Sequence, residues 1–293
     1  MGHGMGHEVG HELGHEMGLQ HAMCLIVTRP RAQAQPWVEA LVAAGWQAQA
    51  LSLIEIQPLP DSHALARAWL DVWHDIPRVK LLMFVSANAV EHFFAARPEQ
   101  SPWPLRPPQP APLAWPPSTW AGSTGPGTTA ALLACGVPAG QLIEPAADAP
   151  QWDTEALWLQ MQHRLPDWAG QVVWVVRGED GRDWLADKLR AQGAEVRFVA
   201  AYRRAAPEWG LAERALVEQA LTRPQEHLWL FSSSEALANL AAVWPRADWS
   251  RSQALASHPR IAQAAVALGF AQVSLVRGGP PEVSEWLLHA KAN

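Results

Sequence analysis

Residues 171–204 read QVVWVVRGEDGRDWLADKLRAQGAEVRFVAAYRR. Val172 to Val176 is an unbroken apolar run, rich in β-branched residues, of the length of a strand buried on both faces, and Arg177-Gly178-Glu179-Asp180-Gly181 breaks it with turn chemistry. From Arg182 to Gln192 the apolar Trp184, Leu185 and Leu189 recur at helical spacing, and Gly193 stands where a left-handed cap ends a helix. Glu195 to Tyr202 then alternates toward a second strand. The stretch is a strand, loop, helix, strand unit, and its loop falls at the carboxyl end of the first strand, the edge where open α/β sheets bind their ligands.

The same pattern opens the folded chain. Cys24 to Val27 is a buried-type strand ending in Thr28-Arg29-Pro30. A helix with Trp37, Val38, Leu41 and Val42 on one face follows, Gly45 closes it, and an extended run covers Gln47 to Ile56. Beyond Pro58 and Pro60, Ala64 to His74 carries Leu65, Ala68, Trp69, Val72 and Trp73 on a helical stripe, which makes the tryptophans core candidates. Lys80 to Val85 is a strand that enters a helix at Ser86. Trp120 to Ser123 is a strand before Thr124-Gly125-Pro126-Gly127-Thr128-Thr129, which starts a helix ended by Gly136. A helix spans Asp153 to Met161, capped by Asp153 or Thr154. After Tyr202 come a helix near Leu211 to Leu221, a strand at Leu228 to Phe231 and a helix from Ser233 to Leu240. Strand Ala254 to Ser257, helix Ile261 to Leu268, strand Gln272 to Val276 and helix Pro281 to Ala290 finish the series.

Three of these segments recur. Thr28 through Gly45 resembles Val176 through Gly193, and Phe84 through Ala89 resembles Phe231 through Ala236. Pro126 through Gly136 resembles Pro259 through Gly269. Each set supplies strand, loop and helix units for one parallel sheet, with right-handed crossovers bringing the loops to one edge. If the first unit completes the sheet of the last ninety or so residues, the middle of the chain is an inserted domain. Residues 23–56 with 205–293 then form one discontinuous α/β domain and residues 57–204 the other, with a cleft expected between them.

A chain of 293 residues suits two domains of about 130 residues each. It contains 49% hydrophobic residues, yet no apolar run approaches the roughly 18 residues of a membrane span. Residues 1–22 lack the basic and apolar regions of a secretory signal, so the expectation is a cytoplasmic protein without membrane association. The formal charge of −6 argues against general nucleic-acid binding, which needs a basic face. Cys24 and Cys135 lack metal-ligand spacing and are given no role.

Two segments stand apart. In residues 1–22, His3, His7, His11 and His15 lie four apart, a spacing that on a helix lines imidazoles for Zn or Ni. Interspersed glycines oppose a helix by about 1 kcal/mol each, and the preferred reading is a disordered tail, tag or upstream start, with Met23 beginning the fold. Arg97 to Pro117 holds nine prolines, too many for a helix or central strand, and reads as an elongated surface loop in preference to a PxxP ligand.

The strand-end loops carry the candidate chemistry. Gly125-Pro126-Gly127-Thr128 reads equally as a tight turn or as a helix start offering N–H groups to an anion; no Lys follows, which disfavours a nucleotide-dependent transferase. Arg177 and Arg182 flank Gly178 and Gly181, either as solvated arginines or as a cradle for carboxylates, and Arg29 holds the matching strand end near the start of the chain. Ser86 and Ser233 sit where N-caps are expected. No Ser-His-Asp set is credible, and His258 beside Pro259 reads as structural. Tyr202 is the only tyrosine, and its neutral phenol is a hydrogen-bond donor at pH 7.

Taken in order, LIVTRP (25–30), FVSANAV (84–90), GPGTTAALLACG (125–136), RGEDGR (177–182), AYRR (201–204) and FSSSEAL (231–237) resemble the uroporphyrinogen-III synthase family over about Cys24 to Leu288. The specificity lies in their order and spacing together. The resemblance implies two flavodoxin-like α/β domains joined by a two-stranded β linker, with the substrate between them. It implies closure of the linear tetrapyrrole hydroxymethylbilane to uroporphyrinogen III, with inversion of ring D and loss of water, without metal or cofactor. A monomer is expected, with hydroxymethylbilane synthase as a transient partner.

By position, Tyr202 matches the family tyrosine proposed to assist departure of the substrate hydroxyl. Thr128, beside Gly127, matches a cleft threonine, and Ser86 and Ser233 match the serines of the two F-x-S turns. Arg29, Arg177, Gly178 and Arg182 join them as candidates for holding the carboxylates of the substrate. Where the second domain of the family has G-P-T-T, this chain has His258-Pro259-Arg260-Ile261, so Ile261 brings no hydroxyl and Arg260 offers a charge instead. The reading from another class is a two-domain binding protein that closes on a small anion without chemistry.

Overall fold

The computed structural model describes residues 23–97 and 115–292. The chain opens with β1 (Cys24–Val27), α1 (Arg31–Ala43) and β2 (Gln47–Ala50). It continues through β3 (Glu55–Gln57), α2 (His63–Asp75), β4 (Leu81–Phe84), α3 (Ala87–Ala95), β5 (Trp120–Ser123), α4 (Pro126–Ala134) and β6 (Leu142–Ile143). Next are α5 (Thr154–Arg164), β7 (Val172–Gly178), α6 (Trp184–Ala191) and β8 (Glu195–Ala205). Last come α7 (Leu211–Thr222), β9 (His227–Phe231), α8 (Ser234–Val243), β10 (Gln253–Ala256), α9 (Pro259–Leu268), β11 (Gln272–Leu275) and α10 (Pro280–Ala292). No helix among the described residues is long and apolar enough to cross a membrane.

The chain divides into two compact units. One joins the residues up to Glu55 with those from Ala206 onward, and the other is Ile56–Ala205. The first holds a five-stranded sheet in the order β2-β1-β9-β10-β11, every neighbouring pair parallel. Numbered along the chain within that unit, this is the 2-1-3-4-5 order of doubly wound sheets of the flavodoxin kind. The second holds β8-β7-β4-β5-β6, also parallel throughout, with β3 at the edge beside β8. Setting β7 against β1, β8 against β2 and β4, β5 and β6 against β9, β10 and β11 gives the same order. The sequence repeat is thus a repeat of topology, with the last two strands of one unit playing the part of the first two of the other.

Side-chain alternation explains how each central strand is buried on both faces. In β4 and β7, Leu82, Phe84, Trp174 and Val176 pack with Trp69, Trp73, Phe93 and Leu132 of α2, α3 and α4. Their neighbours Leu81, Met83, Val173 and Val175 point the other way, onto Leu157, Met161, Leu185 and Leu189 of α5 and α6. In the first unit Leu25 and Val27 of β1 pack with Leu41 of α1 and Val283 and Leu287 of α10. Each fully buried side chain of this kind is worth about 1.5–3 kcal/mol of transfer free energy.

Local chemistry sets the ends of the elements. Ser62, Ser86, Asp153 and Ser233 are N-caps whose side chains accept a backbone N–H of the first turn, and His258 caps α9 through Nδ1. Gly193 follows α6 at φ +86°, the left-handed conformation that the sequence reading requires there. The extended run expected from Gln47 to Ile56 is two short strands separated by Leu51, Ser52, Leu53 and Ile54, three of them buried. The two-residue β6 was not expected at all. The histidine-bearing residues 1–22 and nearly all of the proline-rich segment lie outside the described residues. Trp115, at the described edge of that segment, is buried and donates Nε1–H to the Thr119 carbonyl at 2.7 Å.

Candidate functional site

The carboxyl end of the sheet in the second unit brings three chain-distant residues together. β8 runs past the end of β7, and a register shift between Arg177 and Gly178 sets Gly178 opposite Tyr202. Tyr202 is 0% exposed, and a Cβ on Gly178 would come within 3.2 Å of its ring. The side of the phenol is therefore fitted against bare backbone, a close approach that only glycine permits without movement of the ring. The hydroxyl lies 3.1 Å from Ser86 Oγ, at the end of β4. Arg204, two residues along β8, donates from Nη2 to the same phenol oxygen at 3.4 Å, with its guanidinium 5.8 Å from the ring centre.

The direction of this chain of hydrogen bonds follows from the inventory of donors. Arg204 has no acceptor, so the phenol oxygen accepts from it. Ser86 Oγ already accepts the Ala89 N–H that caps α3, at 3.2 Å, and its second lone pair is available for the phenol proton. In that arrangement the Ser86 proton is left to donate to a third group. Ser86 is half-buried, so it is the member of the pair open to a ligand. His92 of α3 stands on the other side, its ring 5.8 Å from that of Tyr202. It also lines a groove with Asp61, Ser62, His63, Trp69 and Leu70.

The remaining candidates divide between the units. In the second, Thr128 is buried in the first turn of α4. The N–H groups of Thr128 and Thr129 both return to the Gly125 carbonyl at 3.0 Å. Pro126 has no N–H, so the loop's capacity to bind an anion narrows to Gly127, which is exposed with open space around it. The hydroxyl network at this loop belongs to Thr129, which donates to Glu144 at 2.5 Å and lies 2.7 Å from Ser123 Oγ. Arg177 is paired with Asp183 and stacked 4.1 Å from the centre of Phe198, while the exposed Arg182 reaches Glu155 at 3.5 Å.

In the first unit Arg29, Ser233 and Arg260 occupy the carboxyl ends of β1, β9 and β10. Ser233 Oγ accepts the Glu235 N–H at 3.2 Å. Arg260 is exposed, and Ile261 is turned inward and buried. Arg204, His92 and Thr129 were missed from sequence. For Arg204 the alternation of β8 was the available signal, since residues 202 and 204 share a face of the strand. Among the described residues no group of three His, Cys, Asp or Glu side chains is placed to hold a metal ion. Cys24 is buried, and burial pushes its thiol above the ordinary range despite a hydrogen bond from Gln49.

A family model described as uroporphyrinogen-III synthase HemD matches residues 35–275. The uroporphyrinogen-III synthase of Escherichia coli is 27% identical over 258 residues, spanning 86% of this chain and 94% of the relative. Among solved structures, a mutant uroporphyrinogen III synthase from Thermus thermophilus superposes with a TM-score of 0.55 at 15% identity, covering 92% of this chain and 100% of that one. The Helicobacter pylori uroporphyrinogen-III synthetase gives 0.52 at 12% identity, with coverage of 92% and 100%. At these identities the structures speak for the fold.

Proposed function

The chain belongs to the uroporphyrinogen-III synthase family, and from that premise we propose that it closes hydroxymethylbilane to uroporphyrinogen III, inverting ring D and releasing one water, in tetrapyrrole (haem) biosynthesis. The observation that carries this reading is the extent of the family match, residues 35–275, which runs through both units. A binding protein that closes on an anion without chemistry has no comparable support.

The reaction asks little of acid–base groups. The pyrrole nitrogen pushes out the hydroxyl of the terminal CH₂OH, the C–O bond breaks, and an azafulvenium cation remains for attack by the substituted carbon of ring D. The bond from that carbon to its bridge to ring C then breaks, the free α-carbon of ring D joins the bridge instead, and the proton it loses leaves with the hydroxide as water. The protein supplies a hydrogen bond to the departing oxygen and holds the chain so that the correct carbon attacks. Ser86 and Tyr202 are the proposed donor pair, with Ser86 facing the leaving oxygen and Tyr202, the tyrosine assigned to catalysis from the resemblance, acting through it by feeding its proton toward Ser86. The reacting end of the chain rests in the groove walled by Trp69, Leu70 and His92.

The substrate carboxylates are assigned to Gly127, Thr128, Gly178, Arg177 and Arg182 in one unit and to Ser233 and Arg260 in the other. Arg177 and Arg182 have to exchange Asp183 and Glu155 for substrate, an exchange of similar partners. The proposal takes the chain as a cytoplasmic monomer that receives its substrate by transient contact with hydroxymethylbilane synthase.

Incubation with hydroxymethylbilane tests the reading. Consumption well above the protein-free rate, proportional to protein concentration, is expected. Saturable binding with the substrate unchanged would favour the binding protein.

A further inference from the structure

The carboxyl ends of β1, β9 and β10 enclose a pocket whose walls include Val27, Leu230, Val276, Val283, Ser232 and Ser257, and Arg29 lies in it. Among the described residues the Arg29 side chain makes one hydrogen bond, from Nη2 to the amide oxygen of Gln33 at 3.1 Å, and its guanidinium stacks 5.0 Å from the centre of Trp37. Its Nε is buried without an acceptor. Among the described residues no carboxylate pairs with it, and burial pushes the guanidinium below its ordinary pKa. Arg29 is half-buried, and a cation drawn out of water without a counter-ion is costly unless something offsets it.

The internal repeat provides the control. Arg177 occupies the same topological position, at the end of β7, and is likewise stacked on an aromatic ring, yet it has Asp183 as its ion partner. At Arg29 the partner is a neutral amide. We propose that this pocket is a subsite for a carboxylate on a short alkyl arm, with the Arg29 guanidinium as its anchor. A carboxylate entering the pocket would give the guanidinium the charged partner it lacks, and the valines and leucine suit a hydrocarbon arm. A bare phosphate would ask for more N–H and hydroxyl donors than this lining offers. The identity of the molecule carrying the carboxylate, hydroxymethylbilane, rests on the function proposed above; the anion subsite itself does not.

The experiment compares the wild-type chain with Arg29→Met and Arg29→Lys by thermal unfolding and by turnover of hydroxymethylbilane. Removing a half-buried charge that has no counter-ion should leave the melting temperature of Arg29→Met equal to or above that of wild type, which a purely structural arginine would not do. Its KM should rise about tenfold or more, the worth of a charge-assisted hydrogen bond, with kcat little changed, and Arg29→Lys should fall between. Sodium propionate should raise the wild-type melting temperature above sodium chloride of equal ionic strength and above propionamide, and should lose this effect in Arg29→Met. The inference is overturned if Arg29→Met fails to fold or melts several degrees lower, or if the propionate effect is absent from wild type or persists without Arg29. Absence of turnover in wild type, with the propionate effect intact, would overturn the proposed function and leave the anion subsite standing.

Discussion

Tyr202 is wholly buried and its hydroxyl lies 3.1 Å from that of Ser86, so the role proposed for the phenol requires it to act through Ser86. The two should therefore behave as one unit. Tyr202→Phe is expected to lower kcat by up to roughly 10²-fold, about 2.7 kcal/mol of barrier, with stability nearly intact. Ser86→Ala should cost catalysis by a similar factor and, because Ser86 caps α3, about 1 kcal/mol of stability as well. The double variant should be little slower than the worse single one. Multiplied losses in steady-state kinetics would separate the two hydroxyls and remove the relay. Sequence pointed to Tyr202 as the chain's only tyrosine and to Ser86 as a cap, but their juxtaposition depends on a register shift at Arg177 and Gly178 that no local pattern announces.

At the scale of elements, a carboxylate at the end of α2 ties that helix to the sheet. Asp75 Oδ2 accepts Trp174 Nε1–H of β7 at 3.1 Å and an Arg197 N–H of β8 at 2.6 Å. Asp75→Ala leaves the indole N–H without its acceptor and should destabilise the chain by about 1–3 kcal/mol, while Asp75→Asn, which keeps an acceptor, should cost less. Chemical denaturation of the two variants checks the order. The central strands β1, β4 and β7 were legible because burial on both faces makes each an unbroken apolar run. The edges were not. β2 reads Gln47-Ala48-Gln49-Ala50 and is largely exposed, and β6 has two residues, too few for any periodicity. Partner choice at the loops was equally hidden, since the sequence ranks Arg29 and Arg177 alike and only the fold gives one of them an aspartate.

At the scale of the whole molecule, one chain builds the same spatial order of strands twice, with the strands of the second copy entered in a different order. This was readable because three loop-bearing segments repeat with their strand ends in step, and ordered segments together constrain topology more than any one of them does. In both sheets the candidate residues gather at the carboxyl ends of the strands, with hydroxyls, backbone N–H groups and arginines. The function proposed for these residues is to fold and orient a polyanionic chain, and the signature of that function is which carbon of ring D is joined. The most direct measurement is the isomer composition of the product formed from hydroxymethylbilane, resolved chromatographically after oxidation to the porphyrin. The account predicts the III isomer as the dominant product, in an amount that grows with protein concentration while the uninverted I isomer declines. An isomer mixture identical to that formed without protein would contradict it.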